Sequence, residues 1–188
     1  TIFGKNACKI DKASKQIILD DGETVKFDKL LIATGSKPFV PPMNGLEKVK
    51  NKFTFMSLDD ALALQKELSE DKKVLIIGAG LIGLKCAEGI YGKVKSIQVV
   101  DLANRILPSI LDEKGSEIIQ RHIESKGIEF TLNDCAESFE ENSVVLKSGK
   151  KIDFDILVVA VGVRPSTELA SEAGAKVNRG IVTDARCA

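Results

Sequence analysis

The stretch KVLIIGAGLIG, residues 73–83, carries two signals in a few residues. Val74 to Ile77 is an unbroken apolar run, the pattern of a strand buried on both faces of a parallel sheet. Gly78, Gly80 and Gly83 follow at GxGxxG spacing, and in a strand–turn–helix setting each has a physical task. Gly78 allows the tight turn, Gly80 leaves room for a pyrophosphate against the backbone, and Gly83 lets helix and sheet pack closely. Ala79, Leu81 and Ile82 fill the turn and open a helix predicted over 81–91. Its N-terminus offers unpaired N–H groups and a positive dipole end to phosphates. A second strand is predicted over 96–100. Asp101 ends it, 23 residues after Gly78, where an acid accepts hydrogen bonds from ribose hydroxyls. A carboxylate there repels the 2′-phosphate of NADP, whereas Arg105, four residues on, is able to recruit it. The acid holds the ribose position itself, which favours NAD over NADP.

Outward from this stretch the chain repeats itself. Residues 1–38 aligned without gaps on residues 128–165 give eleven identities, including Phe27/Phe154, Asp28/Asp155, Leu30/Leu157, Ala33/Ala160, Gly35/Gly162 and Pro38/Pro165. Each copy reads as a β-hairpin turning at Gly22 or Gly149, a short strand, and an apolar run, Leu30–Ala33 or Ile156–Val161. Both runs are expected as buried parallel strands ending in Ala-x-Gly: Ala33-Thr34-Gly35 and Ala160-Val161-Gly162. Glycine at the carboxyl end of such a strand lets backbone approach a ligand. The second copy is preceded by a full strand–turn–helix–strand half. The first is not, so residues 1–40 are expected to be the tail of another nucleotide domain whose fingerprint lies upstream.

Flanking elements are conventional. Ser57-Leu58-Asp59-Asp60 opens a helix as a capping box, with Leu58, Ala61, Leu62, Leu64 and Leu68 as its apolar face. A second amphipathic helix is predicted over 116–126, stopped by Gly127. A final strand is predicted over 180–183. Pro38, Pro41 and Pro42 mark a junction.

Composition excludes other classes. Among 188 residues, 27 Lys+Arg balance 27 Asp+Glu, against both a sequence-independent nucleic-acid binder and a basic membrane-surface protein. Trp is absent and aromatics are 5%, too few for base-stacking platforms. No apolar run approaches the ~20 residues of a spanning helix, and no signal peptide is visible. Cys8, Cys86, Cys135 and Cys187 form no CxxC pair and are expected as reduced thiols of a cytoplasmic protein. His122, the only histidine, gives no metal site.

The order DKLLIATGSKP, MSLDDALAL, KVLIIGAGLIG, VVDLANRILPSILD, DFDILVVAVGVRPSTELA resembles the pyridine nucleotide–disulfide oxidoreductases, the two-dinucleotide flavoproteins. The resemblance runs over essentially the whole chain. Leu81-Ile82 is most like the NADH:rubredoxin reductase and NAD(P)H nitrite reductase branch. It implies an α/β fold: a Rossmann-like NAD-binding domain with a parallel sheet and a β-meander, plus β-rich remnants of a flanking FAD domain. Residues 1–43 would be the end of a front FAD segment, 44–168 the NAD domain, and 169–188 a return into the FAD domain. Ala33, Thr34 and Gly35 match the family's FAD-contacting crossover; Gly78, Gly80, Gly83, Asp101 and Gly162 match its NAD site.

The implied activity is hydride transfer from NADH to flavin, then electron transfer to an unidentified acceptor, either a redox protein or a small molecule. No residue of this chain is assigned as a catalytic acid or base. The family's N-terminal FAD fingerprint and its C-terminal Gly-Asp flavin motif have no match here. Lys85 stands where the family usually carries Glu. These departures support an alternative, a non-catalytic NAD(H)-binding redox sensor.

Overall fold

The computed structural model describes residues 1–187, which divide into two compact units, residues 38–162 and residues 1–37 with 163–187. In the smaller unit, β1 (Ala7–Asp11), β2 (Gln16–Leu19) and β3 (Thr24–Lys26) form an antiparallel meander in the order β1-β2-β3. β4 (Ser36–Pro38) follows a segment with no regular structure. The predicted strand Leu30–Ala33 does not form: Leu31 is 85% exposed. A strand with continuous apolar side chains is stable only between neighbours that cover both faces and both edges, and no such neighbours flank it among the described residues.

In the larger unit, five strands run parallel in the order β5-β12-β6-β7-β8. β5 (Lys52–Phe53) precedes helix α1 (Leu58–Glu67). The Ser57 side chain accepts from the Asp60 N–H while the Asp60 carboxylate accepts from the Ser57 N–H, the predicted capping box. Of the predicted apolar face only Leu64 is buried; Leu58 and Leu62 are exposed. β6 (Lys73–Ile77), α2 (Leu81–Ile90) and β7 (Ser96–Val100) follow as read from the sequence. α3 (Glu113–Glu124) starts one turn before its predicted start, because Asp112 caps it by accepting from the Gly115 N–H. β8 (Ile128–Thr131) completes that edge of the sheet.

An antiparallel meander of β9 (Ala136–Glu140), β10 (Ser143–Leu146) and β11 (Lys151–Asp153) then leads into β12 (Ile156–Val159), the strand between β5 and β6.

Strand alternation splits the core in two. Val74, Ile76, Ile156 and Val158 pack with Leu64, Leu84, Ala87 and Ile90 of the helices. Leu75, Ile77, Leu157 and Val159 pack with Phe139, Val144, Leu146, Ile152 and Phe154 of the meander. Each fully buried aliphatic side chain contributes roughly 1.5–3 kcal/mol, so helices on one face and a meander on the other account for a double-sided apolar sheet.

The chain then re-enters the smaller unit through β13 (Val163–Pro165), paired with β4, and α4 (Glu168–Glu172). Residues 163–166 are held there: the Ser166 N–H donates to the Gly35 carbonyl and the Thr34 hydroxyl to the Ser166 carbonyl. Residues 39–53 belong to the larger unit, because Val49 is buried in the meander-side core and the Phe139 N–H donates to the Asn44 carbonyl. The units therefore divide about six residues before each boundary expected from the sequence. Residues 180–183 form only an isolated bridge, Val177 to Ile181, not the predicted strand.

Candidate functional site

A cleft of 750 Å³ opens at the carboxyl ends of β6, β7 and β12 in the larger unit. The turn after β6 builds its floor. The Gly78 N–H donates to the Val100 carbonyl, drawing the turn against β7. Gly78 has φ +116°, and a Cβ there would lie 2.4 Å from the Ala160 carbonyl oxygen, so the backbone of β6 passes where any side chain would collide with β12. A Cβ on Gly83 would meet the Gly78 oxygen at 2.0 Å: the first turn of α2 sits directly on the loop. At Gly80 the opposite holds, with nothing within 4 Å of a built Cβ. Gly80 is also the N-cap of α2 and no side chain caps that end. The result is a helix N-terminus with its positive end open to the cleft.

Asp101 fixes the far wall. One carboxylate oxygen accepts from the Ala79 N–H at 2.5 Å and the other from the Ala103 N–H at 2.7 Å. The Asp101 N–H donates to the Thr131 carbonyl, and the Asp134 N–H to the Asp101 carbonyl. Asp134 also lines the cleft; its carboxylate accepts from the Cys135 and Ser148 N–H groups. A hydrogen bond to the Ser148 side chain, with those two amides, holds the Asp134 carboxyl below its ordinary range. Two carboxylates and no Lys or Arg line the cleft.

The predicted site residues sort into four groups. Gly78, Gly80, Leu81, Ile82, Asp101, Ala160, Val161 and Gly162 line the cleft together. Ala79 and Gly83 are buried beneath it as supports. Arg105 does not line it. Leu107, at φ +49°, donates its N–H to the Ala79 carbonyl and turns the loop. The Arg105 guanidinium reaches the Asn104 side chain and the Pro108 carbonyl, and lines a charged groove with Glu113, Lys114, Glu117 and Arg121 along α3. Ala33, Thr34 and Gly35 lie in the smaller unit.

Sequence reading missed Asp134, Cys135 and Ala136, although they lie within five residues of the end of the parallel strand β8, and also Phe39, Pro41 and Ser109. Lys85 pairs with Glu88 on α2 and faces a different cavity. Among the described residues, no group of His, Cys, Asp and Glu is placed to hold a metal ion, and no helix is long and apolar enough to cross a membrane. All four cysteines are free thiols, and burial pushes the Cys86 thiol up to about 12.

Residues 1–188 match the family described as pyridine nucleotide-disulphide oxidoreductase. The assimilatory nitrate reductase electron transfer subunit of Bacillus subtilis (strain 168) is 34% identical over 185 residues, covering 96% of this chain and 24% of that protein. Rubredoxin-NAD(+) reductase of Pseudomonas putida is 31% identical over 180 residues, covering 93% of this chain and 46% of that protein. The covalent putidaredoxin reductase–putidaredoxin complex contains a chain that superposes with a TM-score of 0.89 at 26% identity, covering 96% of this chain and 45% of that one. The present chain thus spans less than half the length of these relatives.

Proposed function

The chain belongs to the pyridine nucleotide-disulphide oxidoreductase family, and we propose that it is the NAD(H)-binding portion of an FAD-dependent NAD(P)H oxidoreductase. The observation that carries this reading is an open, uncapped helix N-terminus at Gly80 beside a fixed carboxylate at Asp101. When bound, NADH supplies a hydride and flavin accepts it.

The chain's own residues bind and orient. The Gly78–Gly83 turn would hold the pyrophosphate, Asp101 would accept from the ribose hydroxyls, and Ala160-Val161-Gly162, on the same cleft, would bound the nicotinamide end. Hydride transfer needs no protein acid or base, so none is assigned. With relatives named for rubredoxin and putidaredoxin partners, a small redox protein is the proposed class of acceptor. The sensor alternative rested partly on Lys85, and that side chain, paired with Glu88 and absent from the cleft lining, gives it no support.

Two carboxylates without a cation favour NADH over NADPH. Fluorescence titration of the chain with both cofactors at fixed salt should give NADH roughly tenfold tighter or better, the scale of one lost charge-assisted contact. Equal affinities would overturn the assignment of Asp101. The flavin part rests on Ala33, Thr34 and Gly35, where the Thr34 hydroxyl is spent on the Ser166 carbonyl and the preceding Leu31 is exposed. After dialysis against FAD the 188-residue chain should stay colourless; a stoichiometric yellow complex would show that these residues suffice.

A further inference from the structure

A second cavity, of 350 Å³, lies between α2 and α3, and it shares no lining residue with the cofactor cleft. Its walls are Leu84 and Ala87 of α2, Ile119 and Ile123 of α3, and Ile128 at the start of β8. α3 is underpacked: only Ser116 among its twelve residues is fully buried, anchored by its hydroxyl to the Ile106 carbonyl. Ile119 stays 39% exposed although it faces an apolar wall. Protein interiors close such gaps because unfilled apolar volume is destabilising. This one falls within the ~300–1,000 Å³ range of ligand pockets, near its small end.

The mouth has a definite charge. Its one carboxylate, Glu88, is engaged by Lys85. Lys126 also lines the cavity, and its ammonium has no hydrogen-bond or ion-pair partner among the described residues. His122 stands on the same rim with no side-chain partner among those residues. An apolar interior under one uncommitted cation and one imidazole matches a ligand with a hydrocarbon body and a single negative charge. A phosphorylated ligand would call for more cations than this rim holds.

We propose that the α2–α3 cavity binds an apolar monocarboxylate, its tail between the helices and its carboxylate on Lys126. Calorimetric titration of the 188-residue chain with hexanoate, octanoate and decanoate tests this. Affinity should rise about fourfold per added methylene until the cavity is full. Lys126→Gln, an exposed change, should weaken decanoate roughly tenfold, the scale of a charge-assisted hydrogen bond, and leave decanol binding unchanged. Ile123→Phe, which fills the cavity, should block both, and saturating NADH should leave decanoate affinity as it was. Affinity independent of chain length, an unaffected Lys126→Gln variant, or displacement of decanoate by NADH would each overturn the proposal; the last would place the fatty acid in the cofactor cleft.

Discussion

The hairpins of the two repeat copies agree to the hydrogen bond. Ile17 pairs with Val25 as Val144 pairs with Ile152, and the Gly22 and Gly149 turns have φ +86° and +87°. The Phe27 N–H donates to the Lys15 carbonyl as the Phe154 N–H donates to the Asn142 carbonyl. A few residues further on they part. Leu157 and Val158 are completely buried in a parallel sheet, while Leu30 and Leu31 lie in irregular chain with Leu31 at 85% exposure. The hairpin is specified locally, by a turn glycine and β-branched pairs, so it forms wherever that sequence stands. The strand after it is specified by what flanks it. Asp155 shows this directly: its carboxylate accepts from the Lys73 N–H of the neighbouring β6, whereas the identical Asp28 has no such strand to meet among the described residues.

The sharpest way to break this contrast is to put the same charge into both apolar runs. Val158→Asp buries an unpaired carboxylate in the sheet and should cost more than about 4 kcal/mol in urea unfolding; Leu31→Asp should stay within about 0.5 kcal/mol. A comparable loss at Leu31 would mean that this segment is covered in solution. Next in size is the glycine that ends each run or faces its end. Gly78→Ala drives a Cβ into the Ala160 carbonyl at φ +116° and should cost about 3 kcal/mol along with NADH binding. Gly35→Ala, at φ +65° in open space, should cost about 1–2 kcal/mol.

The smallest effect distinguishes Asp134 from its counterpart Ala7. Because the Asp134 carboxyl is depressed in the folded state, its contribution is present above the unfolded value of about 3.9 and is lost as pH falls through the lower folded value. The Tm gap between the wild type and Asp134→Ala should therefore be widest at neutral pH and close in strong acid. A constant gap across that range would show that the carboxylate's charge is irrelevant.

Much of the fold is legible in the sequence because its signals are local. The GxGxxG turn, the Ser57 cap, and the strand over Ser96–Val100 each depend on residues within one turn or one strand. Leu30–Ala33 misleads because its unbroken apolar pattern matches that of Leu157–Ala160, two of the four residues being identical, while the neighbours differ. Arg105 looks close to Asp101 by count, but the positive φ at Leu107 carries the loop back to Ala79 and leaves the guanidinium on the α3 side. Asp134 escapes a sequence reading because β8 is an edge strand. Its exposed Glu129 interrupts the apolar run that would have marked a sheet strand ending at the cleft.

Asp101 fastens the loop with the same two oxygens that face the cleft. A carboxylate has about four acceptor positions; the Ala79 and Ala103 amides take two and leave the others for a ligand. Recognition and loop integrity therefore cannot be changed separately at this position. Replacing Asp101 by Asn would set an amide N–H₂ against one of two backbone donors, and replacing it by Ala would strand both. An attempt to convert the chain to the phosphorylated cofactor by neutralising this acid would loosen the glycine turn in the same stroke. Such a redesign has to supply a new acceptor for the Ala79 amide before it adds a cation.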